Sequence, residues 1–387
     1  MVGAGLGGLA AASNLLMAGH DVTIFEQAPA LGEVGAGIQV SANAMHVLNH
    51  LGLADAMAGI GVKPGAYVFR LYDTGEEIHR FALADEHERL NGAPYYQVHR
   101  ADFHEILADK AQSLKPDVVR LNSRAVDFVE DGEGVTVTFA DGSSARGDLL
   151  IGADGLKSVV RRKIAGDVPA TYTGDAAWRL TIPSERLPKD FMGYVMSVWM
   201  GPGGHAVCYY LRRGEIFNFV GLIEKTEVSA ESWTNKLPWE ALKADFVGWH
   251  DDIQLVIDTA DRDACYLWSL HNRPPIRNWS LKRTTLLGDS AHPTLPYLAQ
   301  GAVMAIEDGA VLTRALAQEP DVSEALQLYQ RNRIDRTARI VEQSTANRGL
   351  FHLRDRAEML KRFASRDEGA DRNAWLYSYN PLTVPLT

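Results

Sequence analysis

At 387 residues, 46% of them hydrophobic and 23% charged, the chain has ordinary globular composition, room for two domains and no sign of wholesale disorder. Its 39 basic and 49 acidic residues leave a net charge of −10 spread evenly along the sequence, which argues against nonspecific binding to nucleic acid. No stretch reaches the ~18 uncharged apolar residues of a membrane span and no signal peptide precedes the first motif, so a cytoplasmic protein without a membrane partner is expected.

The chain opens with MVGAGLGGLAAASNLLMAGHDVTIFEQ, in which Gly3, Gly5 and Gly8 fit the spacing G-x-G-x-x-G. Small residues from Gly8 to Ala12, followed by Leu15, Leu16 and Ala18, predict a helix that Gly19 ends. The alternating DVTIFE then predicts a parallel strand finishing at Glu26. In such a frame Gly3 permits the tight turn, Gly5 lets backbone approach a pyrophosphate, and Gly8 allows close packing of helix on strand. The helix N-terminus offers unpaired N–H groups to phosphates, and Glu26 is placed to accept hydrogen bonds from ribose hydroxyls. These features together predict adenine-dinucleotide binding; the plain alternative is a glycine-rich helix packed on a sheet. A strand of about five residues normally leads into such a turn. Only Met1 and Val2 do so here, and the expectation is a first strand shortened by start-codon choice or trimming.

Further along, GAGIQVSANAMHVLNHLGL (35–53) predicts a glycine turn and then a helix with Met45, Leu48 and Leu51 inward. YVFRLYDTGEEIHRF predicts a hairpin around Asp73-Thr74-Gly75. Strands joined by Asp-Gly turns lead to the apolar DLLIGADG, and Trp178 to Ile223 is strand-rich. The only cysteines, Cys208 and Cys265, sit in strand-like apolar surroundings and read as buried thiols of a reducing compartment. From Met304 the periodicity is helical. No repeat or low-complexity linker interrupts the chain. The expected architecture is α/β: a Rossmann-like nucleotide-binding domain (1–72, 97–171 and 268–318) interrupted by a sheet-based substrate domain (73–96 and 172–267), with a helical C-terminus (319–387).

Three distant signatures join the first. GADGLKSVVRR places Asp154 and Gly155 after a buried strand, Arg100 in HRADFHEIL opens a helix, and LLGDSAHPTLPYLAQGAVMAIEDG places Asp289 after another strand and Gln300-Gly301-Ala302 at a helix start. With all four in this order, the sequence resembles the flavin-dependent aromatic hydroxylases with a single FAD domain. That resemblance implies FAD as cofactor, with Gly3, Gly5, Gly7 and Gly8 along the pyrophosphate and Glu26 and Gln27 at the adenosine. It implies Arg100 on phosphate or ribityl oxygens, Asp289 on ribityl hydroxyls, and Pro293, Gly301 and Ala302 beside the flavin ring. Backbone donors at a helix start stabilise the negative charge that reduced flavin carries at N1–C2=O. Plainer roles stay open, a surface salt bridge for Arg100 and a helix cap for Asp289. Asp154 either organises the loops near FAD or touches it directly. NADH or NADPH is expected to dock transiently as reductant, since no second glycine-rich nucleotide fold is present.

In GPGGHAVCYYLRRGEIFNFVG, a strand from His205 to Tyr210 would place His205, Val207 and Tyr209 on one face. Electrophilic hydroxylation runs best on a phenolate, so a group that takes or hydrogen-bonds the phenol proton assists it. His205 and Tyr209 are the candidate catalytic residues, against the reading that they are satisfied core polar groups. The stretch resembles hydroxylases of salicylate, 3-hydroxybenzoate and 6-hydroxynicotinate. Where the 6-hydroxynicotinate enzymes carry histidines, this chain has Gln39 and Tyr297, which favours a benzenoid hydroxy-acid over a pyridine. Gln39, Tyr297 and Trp199 are expected at the substrate, with Trp178, Arg179 and Asn218 as further liners; for Arg179 an ordinary ion pair is the favoured reading over a substrate carboxylate. The resemblance implies a monooxygenase that consumes NAD(P)H and O2 through a flavin C4a-hydroperoxide, with or without loss of the carboxylate, as a monomer or homodimer. The alternatives are a 6-hydroxynicotinate-type pyridine hydroxylase, a same-fold epoxidase on a larger substrate and a noncatalytic nucleotide-binding protein. No metal site is expected, because His205 and His292 lack clustered acidic ligands.

Overall fold

In the computed structural model, which describes residues 1–32, 37–226, 236–364 and 373–387, the helix Leu6–Met17 rises directly from the glycine turn. The predicted turn at Gly35 lies outside the described residues. Gly3 adopts φ +100°, a conformation that side chains rarely tolerate, and a Cβ on Gly8 would overlap the carbonyl oxygen of Gly3. The turn is therefore closed on itself by glycine.

Beside it, β1 (Ile24–Phe25) pairs in parallel with β6 (Val119–Arg120), and β10 (Leu150–Gly152) with β16 (Thr284–Leu286). The short Met1–Val2 lead fills the gap: Val2 bridges in parallel to Phe25 on one side and Gly152 on the other. The helices Arg100–Leu114 and Gly301–Gln318 pack on the first helix. The approach of the latter is close, for a Cβ on Gly309 would lie 2.7 Å from Ala11 Cα. The small side chains read from the sequence thus set a short distance between helices. A meander of β7 (Ala125–Glu130), β8 (Val135–Phe139) and β9 (Ser144–Gly147) buries Val135, Val137 and Phe139 against this layer.

A seven-stranded sheet forms the other half, in the order β15–β11–β14–β13–β12–β3–β4. Its strands are β3 (Ala66–Leu71), β4 (Glu77–Ala82), β11 (Thr171–Pro183), β12 (Met196–Gly201), β13 (Gly204–Leu211), β14 (Ile216–Glu224) and β15 (Tyr266–Asn272). The hairpin at Asp73–Gly75 is present as predicted. It also corrects the expected boundary at residue 72, because β3 pairs with β4 and in parallel with β12, and so belongs to this sheet.

The sheet separates two apolar layers. One face holds Trp178, Trp199, Cys208, Phe217 and Phe219 under the helices Trp239–Asp245 and Asp251–Thr259. Cys265 lies in the same layer, and both cysteines are free buried thiols. The opposite face carries Phe69, Val198, Met200 and Leu222 beneath Leu295, Tyr297, Leu350 and Phe351. The C-terminal helix Val322–Phe351 is tied to the first half by buried charge. Arg333 pairs with Asp308 and Glu307, each at 2.7 Å, while His292 Nε2 lies 2.6 Å from Asp308 Oδ2. With each charged side chain facing an opposite charge, such a cluster fixes one arrangement of these segments. No described helix is long and apolar enough to cross a membrane.

Candidate active site

Between the glycine turn and the second face of the large sheet runs a cavity of about 620 Å³. A second hollow of about 370 Å³ shares Gly5, Arg100, Ala153 and Gly155 with it and continues past Glu26, Gln27 and Asp154. Two helix starts face the larger space: Leu6–Met17 with Gly5 as N-cap, and Gly301–Gln318 with Gln300 as N-cap. Neither has a side-chain cap. Their first N–H groups and positive dipole ends therefore look into the cavity. Glu26 braces the turn, its Oε2 accepting from Ala4 N–H at 2.8 Å and its Oε1 from Ala28 N–H at 2.9 Å. Asp289 projects into the cavity, open to that space though enclosed by protein; burial raises its carboxyl, while His292 and the Arg100 cation pull it back.

The sheet supplies the opposite wall. His205, Val207 and Tyr209 of β13, Val220 and Leu222 of β14, and Arg179 of β11 all line the cavity. The register explains this, since Leu222 lies opposite His205, and Val220 opposite both Val207 and Arg179. β2 (Gly37–Val40) pairs with β5 (Tyr96–His99) and brings Gln39 to the same wall as Tyr209. Asn218, directly opposite Tyr209, anchors β2 by accepting Gly37 N–H at 3.1 Å. Burial pushes the Tyr209 phenol up, so it acts as a neutral hydrogen-bonding group. Burial lowers His205 well below the ordinary histidine range, so its imidazole is neutral and by itself a weak base.

Arg179 is the unusual member. Its guanidinium stacks 3.6 Å from the centre of the Trp268 ring, and among the described residues no carboxylate pairs with it. Its Nε is buried without a partner. Burial, aided by the Arg100 cation, draws it down to about 10, which leaves it fully charged at neutral pH.

Residues 1–344 match the FAD binding domain family. The chain belongs to this family. It is 35% identical over 387 residues to 3-amino-4-hydroxybenzoate 2-monooxygenase PtnB3 of Streptomyces platensis, covering 99% of this chain and 96% of that one. It is 36% identical over 386 residues to 3-hydroxybenzoate 6-hydroxylase of Polaromonas naphthalenivorans (strain CJ2), covering 98% and 95%. Among solved structures it is similar to Klebsiella pneumoniae HpxO complexed with FAD and uric acid. That match has a TM-score of 0.84 and 29% identity, and covers 96% of this chain and 93% of that one. The protein is thus an FAD-dependent monooxygenase of the aromatic-ring class.

Within the flavoprotein, Gly5, Gly7, Gly8, Arg100, Asp289, Gly301 and Ala302 meet at the larger cavity, joined by His205, Tyr209, Gln39 and Tyr297. Gly3, Glu26, Gln27 and Asp154 lie at the smaller hollow. Asp154 is taken up by its own loop: it accepts Ser158 Oγ–H at 2.5 Å and Val159 N–H at 2.7 Å, holding the start of the helix Val159–Ala165. Three expectations are corrected. Pro293 is buried outside the cavity lining, which Thr294, Leu295 and Pro296 supply instead. Trp199 is on the far face of the sheet with Trp178, because it pairs with Ala206, the neighbour of His205. Among the described residues Arg179 has no ion pair but an aromatic stack. Tyr297 presents its ring only, its hydroxyl donating to Asp175 Oδ2 at 2.6 Å.

Sequence reasoning missed Asp175, Arg348 and His352. Arg348 grips Asp175 with two guanidinium hydrogen bonds, and His352 Nε2 lies 2.9 Å from His205 Nδ1. A signal existed for each: a lone acid in the strand TYTGDAAW, and an arginine and a histidine four residues apart at the end of a long helical stretch.

Proposed function

We propose that this flavoprotein hydroxylates a small hydroxylated aromatic acid, and the observation that carries the reading is the unpaired Arg179 cation on the cavity wall. A buried guanidinium without a carboxylate of its own is stabilised by an anionic occupant. The two relatives act, by name, on hydroxybenzoates, which are anions of that kind.

The cavity fits FAD by the chemistry of its donors. Two uncapped helix starts, the open space beside Gly5 and the run of hollows from Glu26 to Ala302 match an elongated, anionic dinucleotide. Gly5, Gly7 and Arg100 would hold the phosphates, Glu26 the ribose, Asp289 the ribityl chain, and Gly301 and Ala302 the flavin ring. When bound, FAD supplies oxygen activation and transfer at the expense of NADH or NADPH. The protein does the rest. Arg179 orients the acid, Tyr209 hydrogen-bonds the ring hydroxyl, and neutral His205 accepts its proton. Val207, Val220 and Leu222 keep water from the reacting ring.

The test follows NADH and NADPH oxidation by FAD-loaded enzyme across hydroxybenzoates and matched phenols lacking the carboxylate, with product masses. An acid is expected to gain one oxygen, with or without loss of CO2. Arg179→Gln should raise KM for the acid at least ~100-fold, since breaking a buried charge pair costs about 3–5 kcal/mol, while the neutral phenol is barely affected. The reading fails if no hydroxybenzoate yields product, or if the variant treats acid and phenol alike.

A further inference from the structure

His205 is not the end of the hydrogen-bonded path. Its Nδ1 is 2.9 Å from His352 Nε2, which leaves Nε2 for a group in the cavity. His352 Nδ1 is buried, makes no hydrogen bond among the described residues, and lies 3.6 Å from Glu224 Oε1. The Glu224 side chain is 32% exposed and is paired at 2.6 Å with the largely exposed Arg354. Proton-exchanging groups thus follow one another in a file from the cavity wall to water.

From this juxtaposition we infer that His205, His352 and Glu224 form a proton exit path for the aromatic hydroxyl. The inference rests on the proposed substrate class. The ring hydroxyl gives its proton to His205 Nε2, and the Nδ1 proton of His205 passes to His352 Nε2. The Nδ1 proton of His352 passes to Glu224 and from there to water. One proton enters the file and one leaves. Both rings end in the other tautomer, and return of a proton along the same file resets them. A neutral, buried His205 cannot retain the proton, so a route onward is what makes it an effective acceptor.

The charged groups around the file suit this task. His352 faces Asp175, Arg348 and Glu224, with Tyr297 against both histidine rings. Asp175 is itself occupied by Arg348 and the Tyr297 hydroxyl, which keeps it from capturing the proton. Phe351, 5.1 Å from the His205 ring, closes the remaining side with carbon. His352 is therefore a positioning and relay residue rather than one that meets substrate.

The experiment uses FAD-loaded enzyme and 3-hydroxybenzoate, with proton release on mixing read by a pH indicator in stopped flow. Wild type should release one proton as the bound ligand takes on a phenolate spectrum. Glu224→Gln and His352→Gln should bind within about twofold of wild type, yet release the proton at least ~10-fold more slowly, with a larger solvent isotope effect. Release at the wild-type rate in both variants overturns the path. If the substrate reading itself is wrong, wild type binds no hydroxybenzoate, and the path is then judged without ligand. Exchange of the His205 ring N–H with water, read by NMR of histidine-labelled holoenzyme, should be at least ~10-fold slower in Glu224→Gln, and equal rates refute it.

Discussion

Two glycines five and eight residues into the chain are expected to answer oppositely to the same added methyl group. A Cβ on Gly8 overlaps the carbonyl oxygen of Gly3, while Ala153 Cβ at 3.4 Å is in ordinary contact, so the Gly3 backbone must move. Overpacking of this kind costs about 1–3 kcal/mol, and Gly8→Ala should lose that much in urea unfolding of the FAD-free protein. A Cβ on Gly5 meets nothing within 4 Å, and Gly5 has φ −72°, which alanine adopts freely. Gly5→Ala should therefore unfold within ~0.5 kcal/mol of wild type. Its methyl group instead occupies the space in front of the first helix start, where the phosphates are proposed to lie. Retained FAD, read by absorbance and by fluorescence titration, should weaken at least ~10-fold, or about 1.4 kcal/mol. Comparable destabilisation of the two apoproteins, or undiminished FAD affinity in Gly5→Ala, would refute the assignment of that space to the cofactor.

Tyr209→Phe removes the phenol at the cavity wall; product formation should fall about 10-fold, one hydrogen bond in the transition state, while FAD affinity holds. Unchanged coupled turnover would take Tyr209 out of the reaction. Trp199→Phe acts on the far layer, so it should cost about 1 kcal/mol in unfolding and leave KM and kcat alone; a shifted KM would contradict its placement. His87 is drawn down to about 4 by burial, and its Nε2 accepts Ala42 N–H at 3.3 Å. The unfolded chain takes up that proton below its ordinary value of 6.5, whereas the folded chain resists until about pH 4. Stability therefore declines as pH falls across this window, by up to about 3 kcal/mol from this group. His87→Gln should flatten the unfolding free energy between pH 7 and pH 4, and an unaltered slope would show that other groups set it.

What could be read from the sequence was whatever the backbone demands locally. The turn at Gly3–Gly8, the strand leading to Glu26 and the helix opened by Gly301 each leave a fingerprint of residue type within a few positions. Parity along one strand was readable too, and His205, Val207 and Tyr209 do share the cavity wall. Trp199 was misplaced because its face depends on the register of two strands. The turn at Pro202–Gly203 sets Trp199 against Ala206, and directly opposed residues share a side. β3 was assigned to the wrong half for a related reason, its partner strand being known but not the sheet that both join. The meeting of His205 with His352, 147 residues apart, has no local signature at all. Nor does that of Asp175 with Arg348, 173 apart; each is fixed by where the C-terminal helix is clamped.

The period of two in the central strands separates tasks that in a helix would be mixed. Neighbouring positions such as 205 and 206, or 208 and 209, answer to different customers, one to the reactant and the other to the scaffold. Variation confined to alternate codons of this region can then redirect the enzyme toward new aromatic compounds while the supporting layer keeps its packing intact. Such a wall is open to rapid diversification, and an engineer would randomise it in the same skipped pattern.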